Sequence, residues 1–183
     1  MSGLPQVRRA DKLMAEDRAR EVLERGFCGR LATVGGDGWP YCVPLLYVLM
    51  EGEIFVHNTR AMGHLRSNVD REPRVCFEVD QAGEVFAYGR FECDSTLAYA
   101  SVIAFGRIRV VEDLQIKRRF CDGLMAKYAR KEWERPKGFY PRIDQITVYA
   151  INVERLSGKE TALPQVSERW PAVDHTKSPN ARA

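Results

Sequence analysis

Gly29-Arg30-Leu31-Ala32-Thr33-Val34, the turn Gly35-Gly36-Asp37-Gly38, the apolar run Tyr41 to Met50, the turn Glu51-Gly52-Glu53 and the run Ile54 to Asn58 together decide the fold. Short apolar runs separated by Gly-rich turns predict β-hairpins in series. Pro44 sits inside the middle run and lacks the N–H that a strand ladder uses. It therefore belongs at a sheet edge, at a bulge, or where something other than a strand approaches the backbone, a plain bulge being the simplest of these.

Working outward, Ala15, Ala19, Val22 and Leu23 carry the one-face spacing of a surface helix over Asp11 to Gly26. Downstream, Met62 to Arg71 reads as a short helix, Arg74 to Val79 as a strand, Gln81 to Thr96 as an irregular connection and Tyr99 to Val111 as a further strand. Ile116, Phe120, Leu124 and Tyr128 recur every four residues and predict a long helix from Asp113 to about Arg135. Lys117, Arg118, Lys127, Arg130 and Lys131 fall on its solvated side. Pro136, Gly138 and Pro141 end that helix, and Gln145 to Leu156 reads as a last strand. Beyond Gly158 the chain is polar and broken by Pro164, Pro171 and Pro179, which divides it into a domain over 1–159 and a tail over 160–183. Six strands joined mostly by tight turns, with two or three helices between them, predict a mainly β (α+β) fold, an antiparallel barrel with helices packed outside.

Composition narrows the chemistry. The 183 residues carry a net charge of +3, too small to point to nucleic acid or an anionic membrane, so any anion site must be local. The longest apolar run is about half the roughly 20 residues a spanning helix needs. With no signal-peptide pattern at the start, a cytoplasmic protein is expected. Five cysteines without a C-x-x-C pair read as reduced, largely buried thiols. Dinucleotide, P-loop, zincin and nucleophile-elbow motifs are absent from the sequence. His57 and His64 stand seven residues apart across a strand end and a helix start, which is not a metal-ligand spacing, so no metal is expected.

The informative stretch is His57-Asn58-Thr59-Arg60-Ala61-Met62-Gly63-His64-Leu65, which leaves a strand and enters a helix. A helix start presents unpaired N–H groups and a positive dipole end, and Asn, Thr, Arg and His side chains accompany it here, with Gly63 allowing close approach. That composes a phosphate seat. An ordinary helix cap with Thr59 as the capping residue explains the same stretch more plainly.

Taken as a whole, the sequence resembles the pyridoxamine 5′-phosphate oxidase-like FMN-binding split barrels, in the branch that includes the nitroimidazole-resistance (Nim) flavoproteins. The resemblance runs through Arg9-Ala10-Asp11-Lys12, Gly29 to Val34, Asp37 to Leu45, Ile54 to His57 and Gly63-His64-Leu65. It resumes at Tyr99 to Gly106 and closes at Leu156-Ser157-Gly158-Lys159. It implies a homodimer of split barrels with FMN at the subunit interface. Val43, Pro44 and Leu45 would run along the flavin ring with His57 and Asn58, while Thr59, Arg60, Gly63 and His64 would hold the phosphate. Ser101 and Val102 would come from the other subunit. Many relatives carry Lys where this chain has His64, and histidine is charged only in part near neutral pH.

The resemblance implies an FMN-dependent oxidoreductase acting on a small, nitroaromatic substrate, with the chemistry supplied by the cofactor. His57 and Tyr47 are the residues placed to orient an acceptor or donate a proton, and Trp133 and Tyr140 to shape the pocket. The alternatives are a flavin-binding module without turnover and a split barrel holding haem or a deazaflavin.

Overall fold

The computed structural model describes residues 7–134 and 136–177. Seven strands and three α-helices are present among them: β1 (Gly29–Val34), β2 (Pro40–Leu45), β3 (Tyr47–Met50), β4 (Glu53–Thr59), β5 (Arg74–Ala87), β6 (Ser95–Val111), β7 (Ile146–Thr161), α1 (Glu16–Arg25), α2 (His64–Arg71) and α3 (Leu114–Tyr128). One sheet joins the strands in the order β2-β1-β5-β6-β7-β4-β3. β1 pairs antiparallel with β2 and β5, and β4 pairs antiparallel with β3 and β7. The expectation of a mainly β, antiparallel fold with helices added is met.

The chain divides into two compact units. Among the described residues, one comprises those up to Val22, Asp80–Val102 and those from Ser157 onward, and the other comprises those within Leu23–Val79 and Ile103–Leu156. In the second unit β2 and β3 occupy opposite ends of the sheet order, yet only Leu46 separates them in sequence. Neighbouring strands stand about 4.8 Å apart, so a flat sheet would put its end strands several times farther apart than one residue can reach. The strands of this unit must therefore curl until their ends meet, which makes a barrel with a seam between β2 and β3. Its interior is filled by alternating residues of the strands, among them Leu31, Ile54, Val56, Phe77 and Tyr149, all fully buried. A separate layer packs α3 on the outside, where Phe120, Cys121 and Leu124 meet Val48, Phe55, Val148 and Ala150.

The hairpins follow from their turn residues. Between β3 and β4, Glu51 and Gly52 take positive φ of 54° and 82°, the pair of left-handed conformations that a two-residue hairpin needs. At Gly29 a built Cβ would lie 2.0 Å from the Phe77 ring, so only glycine admits that ring beside β1.

In the first unit Ala19, Val22, Phe86, Ala98, Ala100 and Val102 are buried. There Leu13 bridges to Lys159, and Met14 N–H donates to the Gly158 carbonyl at 3.1 Å.

Several boundaries differ from the sequence reading. The apolar run from Tyr41 to Met50 is two strands broken at Leu46, which accounts for seven strands instead of six. The stretch Gln81 to Thr96 is not mainly irregular: β5 runs on to Ala87 and β6 begins at Ser95, their polar residues lying on exposed faces. The first helix begins only at Glu16, after a 3₁₀ turn at Ala10–Lys12. α3 is capped by Asp113 as its position suggests, the carboxylate accepting from the amides of Gln115 and Ile116. It ends at Tyr128, because the next member of the four-residue repeat is Glu132, which has no apolar face to bury. The expected end at Arg135 falls on a residue outside those described. Lys127 does not lie on the wet side: its Nζ is buried 3.7 Å above the Tyr47 ring. Nor are the thiols largely buried. All five are free, but only Cys121 is buried while Cys42 and Cys93 are exposed, the latter two riding on outward positions of β2 and of the β5–β6 connection.

Candidate functional site

The site grows from the edge of the sheet in the second unit. β2 has a strand on one side only, so the absent N–H of Pro44, opposite Arg30, leaves no ladder bond unmade. Of the sequence alternatives for this proline, the edge is the one realised. Pro44 is exposed, and Val43 and Leu45 are half-buried. Among the described residues, no strand pairs with the outer backbone edge of β2.

α2 starts at this edge. Gly63 is its N-cap and no side chain caps the helix, so the first-turn amides keep their donors and the positive end of the dipole is uncovered. A Cβ built on Gly63 meets nothing within 4 Å. The exposed His64 ring stands edge-on to Tyr41 of β2 at 5.3 Å, which ties the helix end to the free strand edge. Thr59 is the last residue of β4, paired with Ile146, so the reading of Thr59 as the helix cap is corrected. Four residues separate it from the helix.

His57 and Asn58 are neighbours on β4 and so face opposite ways. His57 turns toward α3, its ring 5.4 Å from Phe120, and its Nδ1 is buried without a hydrogen-bond partner. Burial lowers its pKa, so the imidazole is held neutral. Asn58 instead accepts through Oδ1 from the Tyr149 hydroxyl at 3.2 Å. The structure does not bring these two side chains together.

Tyr47 is fully buried, and its hydroxyl donates to the Leu23 carbonyl. Its backbone N–H donates to the Tyr128 hydroxyl at 3.2 Å, and its carbonyl accepts from that hydroxyl at 2.9 Å. Every polar group of Tyr47 is thus committed inside the protein. Ser101 and Val102 lie on β6 in the first unit, the serine half-buried and the valine fully buried.

Arg60 leaves the strand end toward the 3₁₀ turn Ile143–Gln145. Its N–H donates to the Gln145 carbonyl at 2.9 Å, and its guanidinium to the Asp144 carbonyl at 3.4 Å. With Arg66, Lys117, Glu112 and Thr147 it lines a cavity of about 380 Å³. The sequence reading placed Lys117 only on the solvated side of α3 and gave Arg66 no part, because surface cations on helices carry no mark of the cavity they line. Tyr140 donates to Asp122 at 2.6 Å and lines a second cavity of about 270 Å³ with Cys121, Phe139 and Pro141. Trp133 is partly exposed.

Solved structures similar to this chain share its fold. A candidate 5-nitroimidazole antibiotic resistance protein from Bacteroides thetaiotaomicron is 19% identical, with a TM-score of 0.66 over 80% of this chain and 85% of that one. The flavocytochrome Anf3 from Azotobacter vinelandii is 16% identical, with a TM-score of 0.73 over 89% and 77%. An FAD and heme binding protein from Mycobacterium smegmatis is 20% identical, with a TM-score of 0.70 over 86% and 78%. No curated protein matches the sequence. No helix among the described residues is long and apolar enough to cross a membrane. The model of one family, pyridoxamine 5′-phosphate oxidase, matches residues 15–160, and the chain belongs to that family.

Proposed function

We propose that this chain is an FMN-dependent oxidoreductase, a homodimer with flavin at the subunit interface, that reduces small nitroaromatic acceptors. The observation that carries this reading is the contact of His64 with Tyr41, which sets an uncapped helix start beside the free edge of β2. A flat ring needs apolar walls and backbone donors and acceptors, and a phosphate needs unclaimed amides and positive charge. Both lie within one side chain's reach here.

The residues fit the group. Val43, Pro44 and Leu45 would line the ring along the strand edge, and Asn58 and Thr59 would close the end of β4. Gly63 and His64 would take the phosphate, with Arg60 as the second cation of that stretch and Ser101 and Val102 arriving from the partner. The orphaned Nδ1 of His57 is the kind of buried polar atom that a bound group would satisfy. When bound, FMN supplies the two-electron redox chemistry. His57, neutral and held against Phe120, is suited to orient an acceptor and to hold a proton at a ring nitrogen. Tyr47, whose hydroxyl is already committed to Leu23, has a structural part: it anchors β3 beneath α3.

Binding tests this assignment. His64→Ala should weaken FMN about tenfold or more and leave riboflavin unchanged, since only FMN carries the phosphate, and His64→Lys should restore FMN binding. Equal losses for both ligands would remove His64 from the phosphate seat. Reoxidation of the reduced holo-protein by a nitroaromatic, against none in its absence under anaerobic conditions, tests turnover. The neighbours named for FAD and heme make those the cofactors to exclude.

A further inference from the structure

α3 carries an amine that the proposed flavin seat does not use. Lys127 is half-buried as a residue, yet its Nζ is fully buried and has no hydrogen-bond partner among the described residues. The nitrogen lies 3.7 Å from the centre of the Tyr47 ring and 5.4 Å from that of Tyr128. Both rings are fixed from elsewhere: the Tyr47 hydroxyl donates to the Leu23 carbonyl, and the Tyr128 hydroxyl is held between the N–H and the carbonyl of Tyr47. The amine thus sits in a preformed aromatic recess whose walls offer it no acceptor.

The groups around it leave that amine partly unprotonated. Burial pushes the Tyr47 and Tyr128 phenols up, so both stay neutral, and the Cys28 thiol lies in the field of both. The Glu24 carboxylate favours the ammonium, but burial outweighs it and drives Lys127 down to about 8 from 10.5. At about pH 7.5 roughly a quarter of the side chain is then free base, against about one in a thousand for a lysine at 10.5. Desolvated amines of this kind attack carbonyl carbon. Beside the recess Phe27 stands edge-on to Tyr128, the centroids 5.6 Å apart, and is 74% exposed, so an uncovered ring adjoins the amine's own walls.

We propose that Lys127 captures small aromatic aldehydes as an imine, the aldehyde carbon joined to Nζ and the aldehyde's ring laid against Phe27 and Tyr128. The amine attacks the carbonyl carbon, its two protons leave with the aldehyde oxygen as water, and a C=N bond replaces the C=O. No oxidant or second reactant takes part, and water reverses the step. Entry needs only the end of the lysine side chain to swing, since ring faces and no hydrogen bonds hold its nitrogen.

Benzaldehyde with cyanoborohydride, applied to the full chain as purified and followed by peptide mass spectrometry, converts the imine into a benzyl group that can be located. At about pH 7.5 Lys127 should be labelled about tenfold faster than the exposed Lys131 and Lys137, less than the free-base ratio because a weaker base is also a weaker nucleophile. Raising the pH beyond about 8 should shrink that ratio, since Lys127 is then mostly free base while a lysine at 10.5 still gains. Phe27→Ala should slow benzaldehyde labelling of Lys127 several-fold and leave its labelling by formaldehyde, which has no ring, unchanged. Labelling of Lys127 no faster than of Lys131 and Lys137, a ratio that does not fall with pH, or benzaldehyde labelling unmoved in Phe27→Ala would overturn the proposal. The label is read at an amine outside the proposed flavin seat, so these outcomes are separate from a failure of the flavin reading.

Discussion

Lys127 is the residue where two forces oppose each other most directly. Burial drives its ammonium down to about 8 from the usual 10.5, whereas the Tyr47 ring face 3.7 Å away attracts the charged form and offsets part of that cost. The folded value lies below the unfolded one, so at neutral pH the charge destabilises the fold. Stability should rise with pH between about 8 and 10.5, where the unfolded chain holds the extra proton. The side chain is only half-buried, and solvent screening reduces the effect to about 1 kcal/mol. Lys127→Met should accordingly raise the melting temperature at pH near neutrality, and the difference should vanish above the unfolded lysine value. A lower melting temperature for the variant at neutral pH would mean that the ring attraction outweighs the burial. Sequence periodicity assigned Lys127 to the wet face, since a helical repeat gives direction but not the reach of a long side chain that folds back over a neighbouring ring.

At the scale of elements, turns and the start of α3 were the most legible features. Asp113 caps α3 with two backbone N–H bonds at 2.8 and 2.9 Å, so Asp113→Ala should cost about 1 kcal/mol, measured as a lower denaturant midpoint with unchanged slope. No change in midpoint would mean that packing of Phe120 and Leu124 alone holds the helix. The hairpin turn at Glu51-Gly52 was readable because only certain residues accept positive φ, and the proline in β2 because a missing donor restricts where a strand can lie. Less legible were the lengths of the strands. β5 carries Gln81, Gly83 and Glu84 beyond the point where apolar alternation stops, and there it runs beside the next strand, β6, with Gly83 against the Ala98 backbone. The cap of α2 was misread because Thr59 has the right chemistry for a cap, but its ladder pairing with Ile146 keeps it in β4.

For the molecule as a whole, the short step from β2 to β3 is the link between the sequence and the barrel of the second unit. One residue joins strands at opposite ends of the sheet order, the barrel of the second unit closes there, and the free edge left beside the seam is where α2 delivers its uncapped start. The candidate site was legible as a stretch, Val43 to Leu45 and His57 to His64. Which side chains of that stretch share a space was not, because strand alternation sends His57 toward α3 and Asn58 toward Tyr149, and contacts far apart in sequence commit Tyr47 to the interior. Under the proposed shared site, flavin and the dimer should be lost together: dilution or an interface mutation that gives monomers by light scattering should also release the cofactor. Monomers that retain a full complement of flavin would place the whole site within one chain.

The most direct measurement is the identity and amount of the cofactor released when the purified protein is denatured. Chromatography with absorbance detection should find FMN at about one per chain, because the proposed seat at the helix end would take one phosphate and the sequence has no dinucleotide fingerprint. FAD in its place, a haem Soret band, or a colourless protein that takes up no FMN on reconstitution would contradict the account.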